Sequence, residues 1–232
     1  MADAHQTQHL RSIAAFDVDG TLTWTDSFML FLRFVSGRWG FLTRLVGLMP
    51  VFLAYLVRLR DRDATKNVLM AACLRGIRQP RYDQYCRDFA RVAYPIIARP
   101  DAVARLNSHL GVRDDVVLVS ASLEGYLIPW AQALGVATVL ATQVEVQDGM
   151  LTGGMRGYNC RCQHKLNRIR THFGDALIVA AYGDSRGDRE MLAAAQHPGF
   201  MVFDEAPANR MAILWDLYCG DLLERRLRGD IS

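Results

Sequence analysis

This sequence shows no paired cysteines and no unbroken apolar span, no leader segment is expected, and each of these bears on the class of protein. The five cysteines, Cys73, Cys86, Cys160, Cys162 and Cys219, form no paired framework, so a disulfide-stapled secreted scaffold is excluded and a reducing compartment is expected. Cys160, Cys162 and His164 could be read as a metal site but match no common zinc spacing, and the cysteines read as loop thiols. The start, MADAHQTQHLR, is polar, so no signal peptide is expected and the protein is placed in the cytoplasm. Internal repeats and low-complexity segments are lacking too. With 51% hydrophobic residues, a chain of 232 residues is long enough for one large domain or for a core with a smaller insert.

Charge of one sign is scarce over most of the chain and concentrated in one part. Between Arg33 and Arg99 there are 13 Lys or Arg against four Asp; the net +9 there leaves −6 for the rest of a chain whose total is +3. A basic segment beside an acidic core suits an anionic substrate or an anionic membrane surface. No motif calls for nucleic acid.

The stretch FDVDGTLT, residues 16–23, ends an apolar run with two aspartates one residue apart and then turns at Gly20. Two carboxylates so close are unfavourable unless a cation joins them or one keeps its proton, which points to metal binding, acid–base chemistry, or both. An ordinary surface turn is the alternative, since Asp and Gly are common turn formers.

After Asp26 the pattern becomes helical up to Ile97, and from Pro100 onward strand and helix signals alternate. The apolar segments VVLVS (116–120), VATVLA, ALIVAAYGD and GFMVF read as strands, with a hairpin turning at Asp148-Gly149 and helices near 123–134 and from His164. This predicts an α/β fold, a Rossmann-like and mainly parallel sheet carrying an inserted α-helical cap after the first strand. The expected division is residues 1–30 and 100–232 for the core and 31–99 for the cap.

In such sheets ligands bind beyond the carboxyl ends of the strands. Asp17 and Asp19 follow the first strand, Ser120 ends VVLV, and Asp184 follows the strand that precedes GDSRGD, with Asp188 four residues later in the helix start. Lys165 in an acidic pocket would bind phosphate as a point charge; the alternative is one more surface charge on a basic helix, with Lys66 as the reference surface lysine.

Together these motifs resemble the haloacid dehalogenase superfamily of aspartate-nucleophile hydrolases across almost the whole chain. DVDGT at 17–21, the serine of VLVSAS at 120, Lys165, and GDSRGD at 183–188 stand in the family's order. The helical insert directly after the first motif is similar to the phosphoserine phosphatase-like subgroup, subfamily IB. The long apolar insert and NCRCQHKLNRI resemble the phosphatidylglycerophosphatase C and CicA-type group within it.

The resemblance implies a phosphatase using Mg²⁺. It implies Asp17 as nucleophile and Asp19 as general acid and base. Asp17, the Asp19 backbone carbonyl and Asp184 would hold the metal, and Ser120 and Lys165 the phosphate oxygens. Asp188, Gly20 and Thr21 would be supporting residues. Dehalogenation needs no proton donor two residues after the nucleophile, so Asp19 favours phosphate chemistry; a mutase keeps both aspartates and stays open. The substrate is expected to be a phosphomonoester, either a lipid such as phosphatidylglycerol phosphate or lysophosphatidate, or a soluble metabolite such as phosphoserine or histidinol phosphate. A non-catalytic membrane-binding protein on the same scaffold is the remaining class.

The longest apolar run, residues 40–57, is interrupted by Arg44 and Pro50 and reads as two helices hinged at Gly47 to Pro50. They either pack inside the cap or lie on one leaflet, with Trp39, Tyr55, Arg38, Arg44, Arg58, Arg60 and Arg62 favouring an anionic interface and a peripheral place on the inner membrane face.

Overall fold

The computed structural model describes residues 12–59 and 61–230, so Arg60 and the polar N-terminal stretch fall outside the described residues. The chain runs β1 (Ser12–Phe16), then helices α1 (Ser27–Ser36), α2 (Arg38–Gly47), α3 (Met49–Leu56), α4 (Arg62–Leu74), α5 (Gln79–Ile97) and α6 (Pro100–Gly111). It continues with β2 (Asp115–Leu123), α7 (Glu124–Ala133), β3 (Thr138–Gln147), β4 (Met150–Arg156), α8 (Gln163–Phe173) and β5 (Leu177–Gly183). A 3-10 turn at Arg186–Asp188 leads into α9 (Arg189–Ala193), β6 (His197–Phe200), α10 (Arg210–Tyr218) and α11 (Leu222–Arg228).

The six strands form one sheet in the order β4-β3-β2-β1-β5-β6. All neighbours are parallel except β3 and β4, the hairpin turning at Asp148-Gly149. The α/β class and the mainly parallel sheet agree with the sequence. The expected division after residue 30 falls inside α1.

Side chains alternate across β1 and so separate two cores. Ala14 and Phe16 join the layer that includes Phe89 of α5 and Tyr126 of α7, whereas Ile13 and Ala15 pack with Ile169 of α8 and Met191 of α9. Two strands differ from the apolar runs that predict them. The strand expected at 116–120 runs on to Leu123 through a register shift after Ser120, so Ser120 lies within β2 rather than at its end. The last strand stops at Phe200, because Met201 takes φ +51° and turns the chain out of the sheet.

Arg33, the first of the basic residues counted above, is fully buried. It donates to Glu224 of α11 and to the carbonyls of Gly220 and Tyr218, tying α1 to the C-terminal helices. Its charge is therefore spent inside the protein and is not part of a basic surface.

The hinge between α2 and α3 is a 56° bend. Among the described residues no single helix is long and apolar enough to cross a membrane, although this bent pair passes by length and composition. A single crossing there is incompatible with the sheet, since β1 lies before the pair in sequence yet sits between β2 and β5. Nor do α2 and α3 bury themselves in the protein. Phe41 is the one buried residue of α2 and α3 has none, while Trp39, Val46, Leu53 and Leu56 are exposed, Leu56 by 75%.

Candidate active site

Asp17 is the first residue after β1, and its backbone N–H donates to the Tyr182 carbonyl of β5 at 2.9 Å, which fixes it at the sheet's carboxyl edge. Lys165, in the first turn of α8, reaches into the same place. Its Nζ donates to Asp17 Oδ1 and to Asp188 Oδ1, and all three side chains are buried. Thr21 Oγ1 donates to Asp17 Oδ2 at 3.4 Å.

Burial raises the Asp17 carboxyl from the ordinary range to about 7, with Lys165 opposing and Asp188 adding to the rise. Burial pulls the Lys165 ammonium down, but Asp17 and Asp188 reverse this and hold it above its usual value.

Asp188 closes a reciprocal cap. Ser185 Oγ accepts from the Gly187 N–H, and Asp188 Oδ2 accepts from the Ser185 N–H at 3.0 Å and from Ser185 Oγ at 2.7 Å. A carboxylate locked this way keeps its other oxygen on Lys165. Asp184 follows β5 directly, and burial followed by the charge of Asp188 raises its pKa. Asp17, Asp184 and Asp188 each offer an oxygen within 4.8 Å of the others. The backbone around them leaves no slack: Gly20 has φ +86°, and a Cβ there would lie 2.0 Å from Asp184 Oδ2.

Asp19 points elsewhere. Its Oδ1 accepts from the Ser27 N–H of α1 at 2.9 Å and its Oδ2 from Ser122 Oγ near the end of β2, so the side chain is held between α1 and β2. Burial lifts it to about 6, helped by Asp26 and opposed by the Ser122 and Ser27 hydrogen bonds. Ser120 is buried, and its Oγ accepts from the Ser122 N–H at 3.0 Å. A cavity of about 340 Å³ is lined by Asp17, Asp19, Ser120, Lys165, Asp184 and Gly20, with Arg62 and Arg161 at its wall. The structure thus brings together the residues singled out from the sequence, with Thr21 hydrogen-bonded to Asp17 and Asp188 to Lys165.

One residue is corrected outright. Lys66 is not a surface lysine: it is buried, its Nζ donates to the Ala121 carbonyl and to Asn159 Oδ1 at 3.0 Å, and it lies 5.0 Å from the centre of the Phe28 ring. It lines a second cavity of about 330 Å³ under α3 and α4, which shares Asp19, Asp26, Arg62 and Ala121 with the first. A signal was available in the composition. Of 27 Lys and Arg only two are lysines, Lys66 and Lys165, and both line these adjoining cavities.

A parallel α/β sheet with clustered carboxylates and a buried lysine beyond its strand ends places the chain among hydrolases that work from that edge. The chain belongs to the haloacid dehalogenase-like hydrolase family, whose family model matches residues 14–193. It is 37% identical over 203 residues to the protein CicA of Caulobacter vibrioides, covering 86% of this chain and 90% of that one. It is also 29% identical over 195 residues to a probable phosphatase of Mycobacterium tuberculosis, covering 81% and 67%. Among solved structures, a protein of unknown function from Bordetella pertussis Tohama I superposes with a TM-score of 0.67 at 25% identity, covering 88% and 95%.

Proposed function

We propose that this chain is a Mg²⁺-dependent phosphatase that hydrolyses a lipid phosphomonoester through an aspartyl-phosphate, working at an anionic membrane surface on its inner, cytoplasmic side. Family membership supports hydrolysis, and the probable phosphatase among the relatives supports phosphate as the group removed.

Phosphoryl transfer asks the protein for positioning and for cations on the phosphate oxygens. Asp17 attacks phosphorus as the ester P–O bond breaks, and Asp19 gives its proton to the departing alkoxide. Water then attacks the acyl phosphate while Asp19 takes the proton back. Asp19, raised to about 6, can hold and release a proton near neutrality, and it lines the second cavity, where a leaving group would lie. Lys165 and Ser120 face the phosphate oxygens.

The donor set fits a hard divalent cation, because the carboxylates are all oxygen and burial leaves Asp17 and Asp184 short of positive charge. Asp17, Asp184 and the Asp19 carbonyl are the proposed holders, since the Asp188 oxygens are occupied by Lys165 and Ser185. When bound, Mg²⁺ offsets the negative charge gathered on the phosphate.

A stability test follows from the raised carboxyls. In the metal-free protein Asp17 and Asp19 keep protons to about 7 and about 6 that the unfolded chain releases near 4, so their contribution to stability falls as pH rises between those values. Mg²⁺ needs Asp17 ionised. At a hundredfold excess over Kd it should add about 2.7 kcal/mol, or ~5–10 °C in Tm, near pH 7.5 and far less near pH 5.5. Equal shifts at both pH values would remove the Asp17 carboxyl from the metal site.

The observation that carries the membrane reading is the double role of α3. Phe52 and Tyr55 line the cavity that holds Asp19, while Leu53 and Leu56 of the same helix, with Leu42 and Val46 of α2, are exposed beside Arg58 and Arg62. An apolar helix pair flanked by arginines fits the headgroup region of an anionic leaflet, and the cap formed by this segment would admit lipid from the membrane plane. Of the residues best suited to a test, Leu48 and Phe52 pack partly on the core, so Leu53, Leu56 and Leu59 are the better choice. Their triple replacement by Ser should lower activity on vesicle-borne substrate about tenfold or more and spare a small soluble phosphomonoester. Wild-type protein should bind anionic vesicles better than neutral ones, and salt should weaken that binding. Indifference to anionic vesicles at low salt would leave a soluble phosphatase for a small metabolite.

A further inference from the structure

Lys66 is a buried cation whose direct partners are neutral. The Ala121 carbonyl, Asn159 Oδ1 and the face of Phe28 surround its ammonium, and no carboxylate among the described residues forms an ion pair with it. Burial lowers its pKa to about 8, against the more distant pull of Asp19, Asp63 and Asp26. Asn159 is oriented for this contact. Its Nδ2 donates to Asp63 Oδ1 at 2.7 Å, so its Oδ1 is left to accept from Lys66 and from Thr142 Oγ1. The protein therefore holds a cation at a fixed place in a cavity wall without supplying the anion.

An ammonium has three protons, and two are used. Arg62 lies one turn earlier on α4, lines the same cavity, and adds a second positive charge. The cavity wall also carries the apolar side chains of Phe28, Met29, Phe52 and Leu69. This cavity opens on Asp19, the residue placed beside the leaving oxygen. A bound leaving group would extend here.

We propose that Lys66, with Arg62, receives a second anionic group carried on the leaving alcohol, so that the preferred substrate is a phosphomonoester whose alcohol joins that anion to an apolar body. This rests on the phosphatase reading above. It makes Lys66 the specificity-determining residue, since a charge-assisted contact to a buried ammonium is stronger than one made in water.

The test compares two soluble phosphomonoesters in Mg²⁺: hexyl phosphate, and glycerol bearing the monoester at one end and a hexyl phosphodiester at the other. Both are used below the concentrations at which they form micelles, so that membrane docking plays no part. The wild type should prefer the second by about tenfold or more in kcat/KM. Lys66→Met should bring that ratio close to one, chiefly through KM, and Lys66→Arg should keep most of it. A clamp that merely holds Ala121 and Asn159 would slow both substrates by one factor, and that result, or a wild-type ratio near one, would overturn the proposal. Should Lys66→Met fail to fold, the wild-type ratio decides. If neither substrate turns over and p-nitrophenyl phosphate is also inert, the phosphatase reading itself falls and takes this inference with it.

Discussion

Asp17→Asn should lower Mg²⁺-dependent turnover of p-nitrophenyl phosphate by about 10⁴-fold or more, the scale on which removal of a nucleophile acts. The amide fills the same space and still accepts from Lys165, so the fold should survive. What is lost is the anion that attacks phosphorus and the charge that draws a cation. Radiolabelled phosphate from substrate should be trapped on the acid-quenched wild type and not on the variant. Activity within tenfold of wild type would reject the aspartyl-phosphate route. Asp19→Asn supplies the contrast: hydrolysis of an alkyl phosphate, whose leaving oxygen needs a proton, should fall about 10²-fold more than that of nitrophenyl phosphate. Equal losses would take Asp19 out of the acid role.

Most residues of this site were legible because they lie just after a strand or where a helix begins, and those positions show in an apolar pattern. Asp17 and Asp184 follow β1 and β5 directly, as the apolar runs suggest. Ser120 was found for a partly wrong reason. Its strand continues to Leu123, and the irregular register after Ser120 is what lets Ser122 turn its hydroxyl to Asp19. No local pattern announces that contact, because the two residues are 103 positions apart.

Lys66 was illegible for the same reason. Its neighbours Ala121 and Asn159 come from the far side of the sequence, and α4 is brought to them by packing on β4. On its own helix Lys66 looks like any charge between Thr65 and Asn67. Only the rarity of lysine in an arginine-rich chain set it apart. Arginine offers a planar fork that suits several acceptors at once, as buried Arg33 does, whereas a lysine ammonium is a compact point charge. The exposure of α2 and α3 was equally hidden, since α3 is apolar on all sides and its pattern does not say which side is covered.

Lys165→Met should damage both catalysis and stability, and the pH dependence of the second separates a site lysine from an ordinary one. In the wild type one ammonium serves two buried carboxylates, Asp17 and Asp188. Removing it takes away a charge-assisted contact to the phosphate oxygens and the group that opposes the burial-driven rise of the Asp17 pKa, so kcat/KM should fall ~10²–10³-fold. Breaking a buried pair by deleting one partner costs about 3–5 kcal/mol when the charge left behind must stay. Here it need not stay, because the carboxylates can take up protons. Asp17 is already raised to about 7 by burial, and without Lys165 it should rise further. The folded variant then holds protons that the unfolded chain releases, and its stability falls as pH rises above the unfolded value near 4. Measured by denaturant melts without metal, the deficit against wild type should therefore be small near pH 5 and approach the full cost near pH 8. Arg91, which is mostly exposed and paired with Asp88 at 3.7 Å, supplies the control; Arg91→Met should change stability by no more than ~0.5 kcal/mol at either pH. A Lys165→Met deficit that is flat with pH, or kcat/KM within threefold of wild type, would show that the lysine between Asp17 and Asp188 holds the fold together without taking part in the chemistry.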